Sequence, residues 1–311
     1  MTLFGVNLPY FYGDYGHDLA VNPRFPEWPT KFSAMSAYGP LIEARRLGFR
    51  AVRTWLCENA EGIVVDGSGR VTGVHPDLIE AVKILGEAAQ LHGVAVYWCL
   101  LDGNAPAREG DAITRSILAD ADQAARFAEL VVAPLVAAMD RRVLLGVDVV
   151  NEPESSTADC IDDPAVEPVP WESIGRAIRL AKQAALAERD VWLTAGTMHV
   201  FLPHLLRSGA EVTAIDVHVY HPEGGLPSRE DLARYVGGHP LFDSGAPLIG
   251  GELGIPKPGG EDAALVNYVH NARTLGYDAA FLWQLEGDLI DKTAPKRPWT
   301  PTGEQIEKLL H

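Results

Sequence analysis

The stretch VLLGVDVVNEP, residues 143–153, settles the architecture. It is an apolar, β-branched run that ends on Asn151-Glu152 and is stopped by Pro153. A run that is apolar almost throughout, rather than alternating, suits a parallel strand buried on both faces. The same kind of run recurs on either side. LFGVNLPY (3–10), RAVRTWL (50–56) and VAVYWCLL (94–101) precede it, and VWLTAGT (191–197), AIDVHVY (214–220), PLIGGEL (247–253) and AAFLWQL (279–285) follow. Amphipathic stretches with helical spacing lie between them, among them 35–48, 75–93, 117–139, 171–188 and 262–276. Several stop on a glycine, as at Gly48, Gly93 and Gly276. Such alternation predicts an α/β protein, a single (β/α)8 TIM barrel occupying 1–311 as one domain. No GxGxxG follows the first run, which makes the dinucleotide-binding alternative weak. In 62–74, two β-rich arms flank Asp66-Gly67, a small hairpin inserted after strand two on the C-terminal side of the barrel.

Bulk composition agrees with a large buried core. The chain has 311 residues, 47% hydrophobic and 22% charged, and neither low-complexity tracts nor short repeats. Its formal charge of −16 repels the phosphates of nucleic acid and anionic membranes, so neither is expected as a partner, whereas a neutral sugar meets no such barrier. Cys57, Cys99 and Cys160 form no CxxC or zinc spacing. The first residues lack the pattern of a secretory signal, and no apolar run reaches the ~18 residues of a membrane span. The expectation is a cytoplasmic protein, monomeric or a weak homo-oligomer, needing no metal and no organic cofactor.

In a barrel of this kind the C-terminal strand ends carry the chemistry. Those ends hold Arg53 (strand two), Asn151-Glu152 (four), His218 and Tyr220 (six), Glu252 (seven) and Trp283 (eight). Either glutamate alone reads as a solvated or ion-paired residue. Two of them across one sugar-sized mouth make a pair able to cleave a glycosidic bond, one protonating the leaving oxygen and the other attacking the anomeric carbon. The first job asks Glu152 to keep a proton, helped by apolar surroundings. The second asks Glu252 to stay ionised beside Arg53. Tyr220 is placed to orient Glu252, Asn151 to bind a sugar hydroxyl, and Trp283 to offer a flat apolar face.

These residues, in this order, resemble clan A of the glycoside hydrolases, and within it family 5, the cellulase- and mannanase-like enzymes. In that clan an Asn-Glu pair ends strand four and its glutamate is the acid/base, here Asn151-Glu152; the nucleophile ends strand seven, here Glu252. Family 5 adds an arginine on strand two, a His-x-Tyr on strand six and a tryptophan on strand eight, matched by Arg53, His218 with Tyr220, and Trp283. The resemblance implies a retaining β-glycosidase working through a covalent glycosyl-enzyme intermediate. A transglycosylase on the same machinery and a non-catalytic carbohydrate-binding barrel are the alternatives. Family 5 usually has a histidine at the end of strand three. This chain reads YWCLLDGN, with Trp98, Asp102 or Asn104 left to fill that space.

The loop PYFYGDYGHD (9–18) is either a wall of the sugar site or a loop packed on itself. Asp14, His17 and Asp18 match no metal motif. Glu58 reads as an ion-paired residue or a sugar contact, Met198 and His199 as pocket lining, and His221 as holding its loop. Glu286 and Asp288 are hydroxyl acceptors or solvated surface. If the pair works with retention, its carboxyl groups lie about 5–5.5 Å apart.

Overall fold

The computed structural model describes residues 1–311 except 12, 31, 187–190, 257–262, 292 and 294–297. Every apolar run becomes a strand: β1 Leu3–Asn7, β2 Ala51–Trp55, β3 Ala95–Asp102, β4 Leu144–Asn151, β5 in two pieces, Trp192–Thr194 and Thr197–Met198, β6 Ile215–Tyr220, β7 Leu248–Gly254 and β8 Ala279–Leu282. All pair in parallel in the order β4-β3-β2-β1-β8-β7-β6. The first piece of β5 pairs with β4 and the second with β6. The two edges of the sheet are therefore one stretch of chain, and the sheet closes on itself as a (β/α)8 barrel.

A helix follows each strand and covers its outer face. In order these are Ala34–Arg46, Pro76–His92, Ala121–Phe127 continuing through Ala128–Val132 into Ala133–Ala138, Trp171–Ala181, Leu202–Arg207, Arg229–Val236, Ala263–Thr274 and Pro301–Leu310. Local chemistry sets their ends. Ser33 closes a capping box at the first, and Gly93 ends the second in the left-handed region that glycine tolerates. The stretch 117–139, which reads as one helix, is divided at Asp120. That residue has extended ψ of 136°, ends the helix Ala112–Ala119, and accepts from the amide of Gln123 at 2.9 Å to start the next. Residues 187, 188 and 262 of the expected helical stretches lie outside the described residues.

The inserted hairpin is present as Ile63–Val65 paired antiparallel with Val71–Val74. It leans on the helix Ala121–Phe127, with Gln123 Oε1 accepting from Val71 N at 3.0 Å and Arg126 donating to the Val71 carbonyl at 2.5 Å. It braces the outside of the barrel and contributes nothing to the pocket described below.

Two apolar layers result from strand alternation. Inside the barrel, small Ala51, Ala214 and Ala279 make room for Tyr97 and Phe281, whose rings lie 5.4 Å apart. A Cβ on Gly5 would come within 2.4 Å of the Phe281 ring, so that strand position needs glycine. Outside, leucines, valines and alanines of strands and helices interlock, and Trp98 belongs to this layer. Among the described residues no helix is long and apolar enough to cross a membrane.

Gly103, just beyond β3, shows how tightly the strand ends meet. Its amide donates to the Asn151 carbonyl at 2.7 Å, and a Cβ there would stand 2.4 Å from the Glu152 carbonyl oxygen. Gly103→Ala is expected to lower stability by about 1–3 kcal/mol, the usual range for overpacking, as read by urea unfolding. Wild-type stability in that variant would show that the two strand ends can part freely.

Candidate active site

Arg53 points from β2 into the barrel with no solvent exposure. Four acceptors receive its two terminal nitrogens. Nη1 donates to Glu252 Oε1 at 2.8 Å and Asn7 Oδ1 at 3.2 Å, and Nη2 to Asp148 Oδ2 at 2.6 Å and Asn151 Oδ1 at 2.8 Å. Trp55, two residues along the same strand face, lies under the guanidinium with 4.3 Å from Cζ to the ring centre. A buried charge is tolerable only when paired in this way. Asn7 is fixed from its other side, donating to the carbonyls of Gly251, Phe281 and Leu282.

Glu252 stands at the end of β7, 3% exposed, where β7 shifts register against β6. Besides Arg53 it accepts the Tyr220 hydroxyl on Oε2 at 2.7 Å. Glu152 leaves β4 in the left-handed region at φ 43°, a conformation that costs about 1–3 kcal/mol and persists where the surroundings enforce it. Its amide donates to the Gly196 carbonyl at 2.7 Å. Its side chain meets Asn104 Nδ2 and His218 Nδ1, each at 3.2 Å. The same His218 nitrogen is 3.8 Å from Glu252 Oε2. One oxygen of each glutamate and a nitrogen of His218 lie within 4.8 Å of one another.

The expected charge states are corrected by these contacts. Glu152 does not sit among apolar groups. Burial alone would raise it, but the hydrogen bond and charge of His218, with Asn104 and Arg53, hold its carboxyl down at about 2. Burial pushes Glu252 up, and the Glu152 charge adds to that against the pull of His218, Arg53 and Tyr220. Burial would lower His218, yet Glu252 and Glu152 together lift it to about 9. The contact between Glu152 and His218 thus draws the proton toward the ring. The three groups titrate as one unit.

Around the pair opens a pocket of about 550 Å³, whose lining includes Tyr10, Tyr15, Glu58, Asp102, Asn104, Met198, Tyr220, Pro256 and Trp283. Trp283 meets Trp55 edge to face at 5.8 Å, forming an aromatic floor. Its peptide bond to Gln284 is cis. A larger hollow of about 620 Å³ lies under the strand starts, around Leu3, Arg50 and Tyr277, the face of such barrels associated with stability.

The strand-end residues read from the sequence converge here: Arg53, Asn151, Glu152, His218, Tyr220, Glu252 and Trp283. Trp98 does not. It follows inward-facing Tyr97, so alternation turns it to the helix layer. The space at the end of β3 is filled by Asp102 and Asn104 instead. Asp102 accepts from Tyr15, Asn104 and Asn151 at 2.6, 2.9 and 3.1 Å, and Asn104 passes the connection to Glu152. Of the loop after β1, Tyr10 and Tyr15 reach the pocket while Phe11 is buried and His17 packs on Trp28. Glu58 lines the pocket, held by the Gly16 amide at 3.2 Å. His199 lies off the pocket, and His221 accepts from Glu223 and Gly225 within its own loop. Asp288 borders an adjoining hollow with Trp283. Asp148, Asp216 and Glu154 escaped the sequence reading because they lie within or beside apolar runs. Burial and the neighbouring Glu152 charge lift Glu154 to about 7, against the hydrogen bonds it accepts from the Thr197 hydroxyl and the Met198 amide.

No protein-family model matches the chain, and no curated relative is found. Solved structures share its fold. The β-mannanase of the blue mussel Mytilus edulis is 19% identical, with TM-score 0.70 over 100% of this chain and 92% of that one. The β-1,4-mannanase of the sea hare Aplysia kurodai is 17% identical, with TM-score 0.72 over 99% and 92%. A GH5_18 protein of Streptomyces cattleya, solved in complex with Manβ1-4GlcNAc, is 18% identical, with TM-score 0.71 over 100% and 80%.

Removing the Arg53 charge leaves Asp148 and Glu252 buried without their counter-ion. Arg53→Met is expected to destabilise the fold by about 3–5 kcal/mol near neutral pH. The loss shrinks as pH falls and Glu252, already pushed up by burial, takes up a proton. Urea unfolding at pH 5 and pH 8 measures this, and equal losses at both would attribute the effect to packing alone.

Proposed function

We propose that this chain is a retaining β-glycoside hydrolase of the family 5 type, with residues 1–311 acting as one catalytic unit on carbohydrate. The observation that carries the reading is the pair Glu152 and Glu252, facing each other across the pocket with oxygens within 4.8 Å. That spacing suits direct attack by one carboxylate, whereas inversion needs about 6.5–9.5 Å to admit a water between them. The fold shared with β-mannanases supports the same class and makes β-mannosides the first substrates to try.

Glu252 attacks the anomeric carbon as the bond to the leaving oxygen breaks. Arg53 and Tyr220 fix its carboxylate, one on each oxygen. The proton held at His218 passes over 3.2 Å to Glu152, which delivers it to the departing oxygen and is left ionised. In the second step water gives a proton to Glu152 and attacks the same carbon, releasing Glu252 with net retention. Trp283 and Trp55 supply the apolar face on which a sugar ring rests. Asn151, held by Arg53 and Asp102, is aimed at a hydroxyl beside the reacting carbon.

Turnover of aryl β-glycosides, β-mannosides included, tests the reading, and chelators should leave the rate unchanged. Glu252→Ala should reduce kcat at least 1000-fold, and azide should restore it with formation of an α-glycosyl azide. Glu152→Ala should spare substrates with activated leaving groups, and azide there should give the β-glycosyl azide. Exchanged azide products would reverse the two roles, and an inactive wild type would sink the reading. For leaving groups that need protonation, activity should fall as pH rises through about 9, where His218 loses its proton.

A further inference from the structure

Below Glu152 and Glu252 the barrel interior carries a second pair of carboxylates, Asp148 on β4 and Asp216 on β6, which the chemistry above does not use. Both are buried, and each brings an oxygen within 4.8 Å of the other and of a His218 ring nitrogen. Their hydrogen bonding differs. Asp148 is satisfied on both sides, by Arg53 Nη2 at 2.6 Å and by the Gly196 amide at 3.0 Å. Asp216 accepts the Tyr97 hydroxyl on Oδ2, while its Oδ1 is a buried acceptor without a hydrogen-bond partner. His218 Nε2 is buried and unpartnered in the same way. Two glycines keep side chains out of this region. A Cβ on Gly251 would fall 2.2 Å from Asp216 Oδ1, and one on Gly196 would fall 2.4 Å from His218 Nε2.

The charges that face His218 come from four strands. Arg53 on β2 is the permanent cation, and Asp148 and Glu152 on β4, Asp216 on β6 and Glu252 on β7 are the carboxylates. Tyr97, Cys99 and Tyr220 are held in their neutral forms by burial. Four acidic side chains against one guanidinium crowd negative charge into a largely buried space. Such a cluster relieves the surplus by binding protons, and its basic ring is the first acceptor.

We propose that Asp216 is a positioning residue for the catalytic proton: its carboxylate holds the His218 ring protonated and aimed through Nδ1 at Glu152. This rests on Glu152 being the acid. The His218 proton passes from Nδ1 to the Glu152 carboxylate, which hands it on to the leaving oxygen and is left ionised. The proton taken from water in the second step then returns to the ring, so nothing is consumed. Burial and the Asp148 charge raise Asp216, and His218, Arg53 and the Tyr97 hydroxyl pull against that rise.

Asp216→Asn removes one negative charge and keeps the shape. Less surplus charge means weaker proton binding. The His218 titration, followed by NMR of histidine-labelled protein and assigned with His218→Asn, should therefore shift down by about one pH unit. The alkaline limb of kcat/KM for a poor leaving group should move down with it. An unshifted midpoint and limb, however slow the variant, would overturn the proposal. If Asp216→Asn fails to fold, Tyr97→Phe decides. Without the Tyr97 hydroxyl, Asp216 takes up a proton more readily, and a smaller shift in the same direction is expected; none would overturn the idea. A wild type that turns over no glycoside would remove the hydrolase reading, while the NMR midpoint would still decide the role of Asp216.

Discussion

Everything at the mouth of this barrel is arranged around one charge that cannot be shed. Arg53 remains a cation at any ordinary pH, and it lies where water does not reach. Its partners must be supplied by other strands, and they are: Asn7 from β1, Asp148 and Asn151 from β4, Glu252 from β7. A single side chain thereby fixes the relative positions of four strands. The two glutamates stand close because each is indexed to the same guanidinium, Glu252 directly and Glu152 through its neighbour Asn151.

The proton balance follows from that arrangement. With Arg53 committed to Asp148 and Glu252, Glu152 must find its counter-charge elsewhere, and His218 supplies it. Assigning the proton to Glu152 because an acid needs one treats the residue in isolation. In the folded chain the contact with His218 holds Glu152 down and lifts the ring, so the proton is drawn to the more basic partner. Catalysis of the proposed kind needs only that it move one hydrogen bond when the leaving oxygen arrives.

Much of this was legible in the sequence, and the misses share a physical cause. The parallel strands and the polar residues at their ends could be read because burial on both faces writes a continuous apolar run, and a glutamate at its end stands out. Asp148 and Asp216 sit inside such runs, as DVV and IDV, and a one-dimensional reading absorbs them into the strand. Trp98 was assigned to the pocket on residue type, but its parity along β3 decided otherwise. The break in β5 was invisible because Ala195-Gly196 looks like any small pair. Contacts between distant strands, such as Asn104 with Glu152, leave no local trace at all.

That break in β5 has a consequence for how the molecule comes into being. Arg53, Asn151 and Glu152 are made in the first half of the chain, and His218, Tyr220 and Glu252 in the second. The halves meet in two places, where β1 pairs with β8 and along the segment 192–198, where Gly196 bonds both the Asp148 side chain and the Glu152 amide. A chain still emerging from the ribosome holds one carboxylate and not its opponent. The pair is complete only when both joins have formed, so a half-built barrel lacks the arrangement that the proposed chemistry needs.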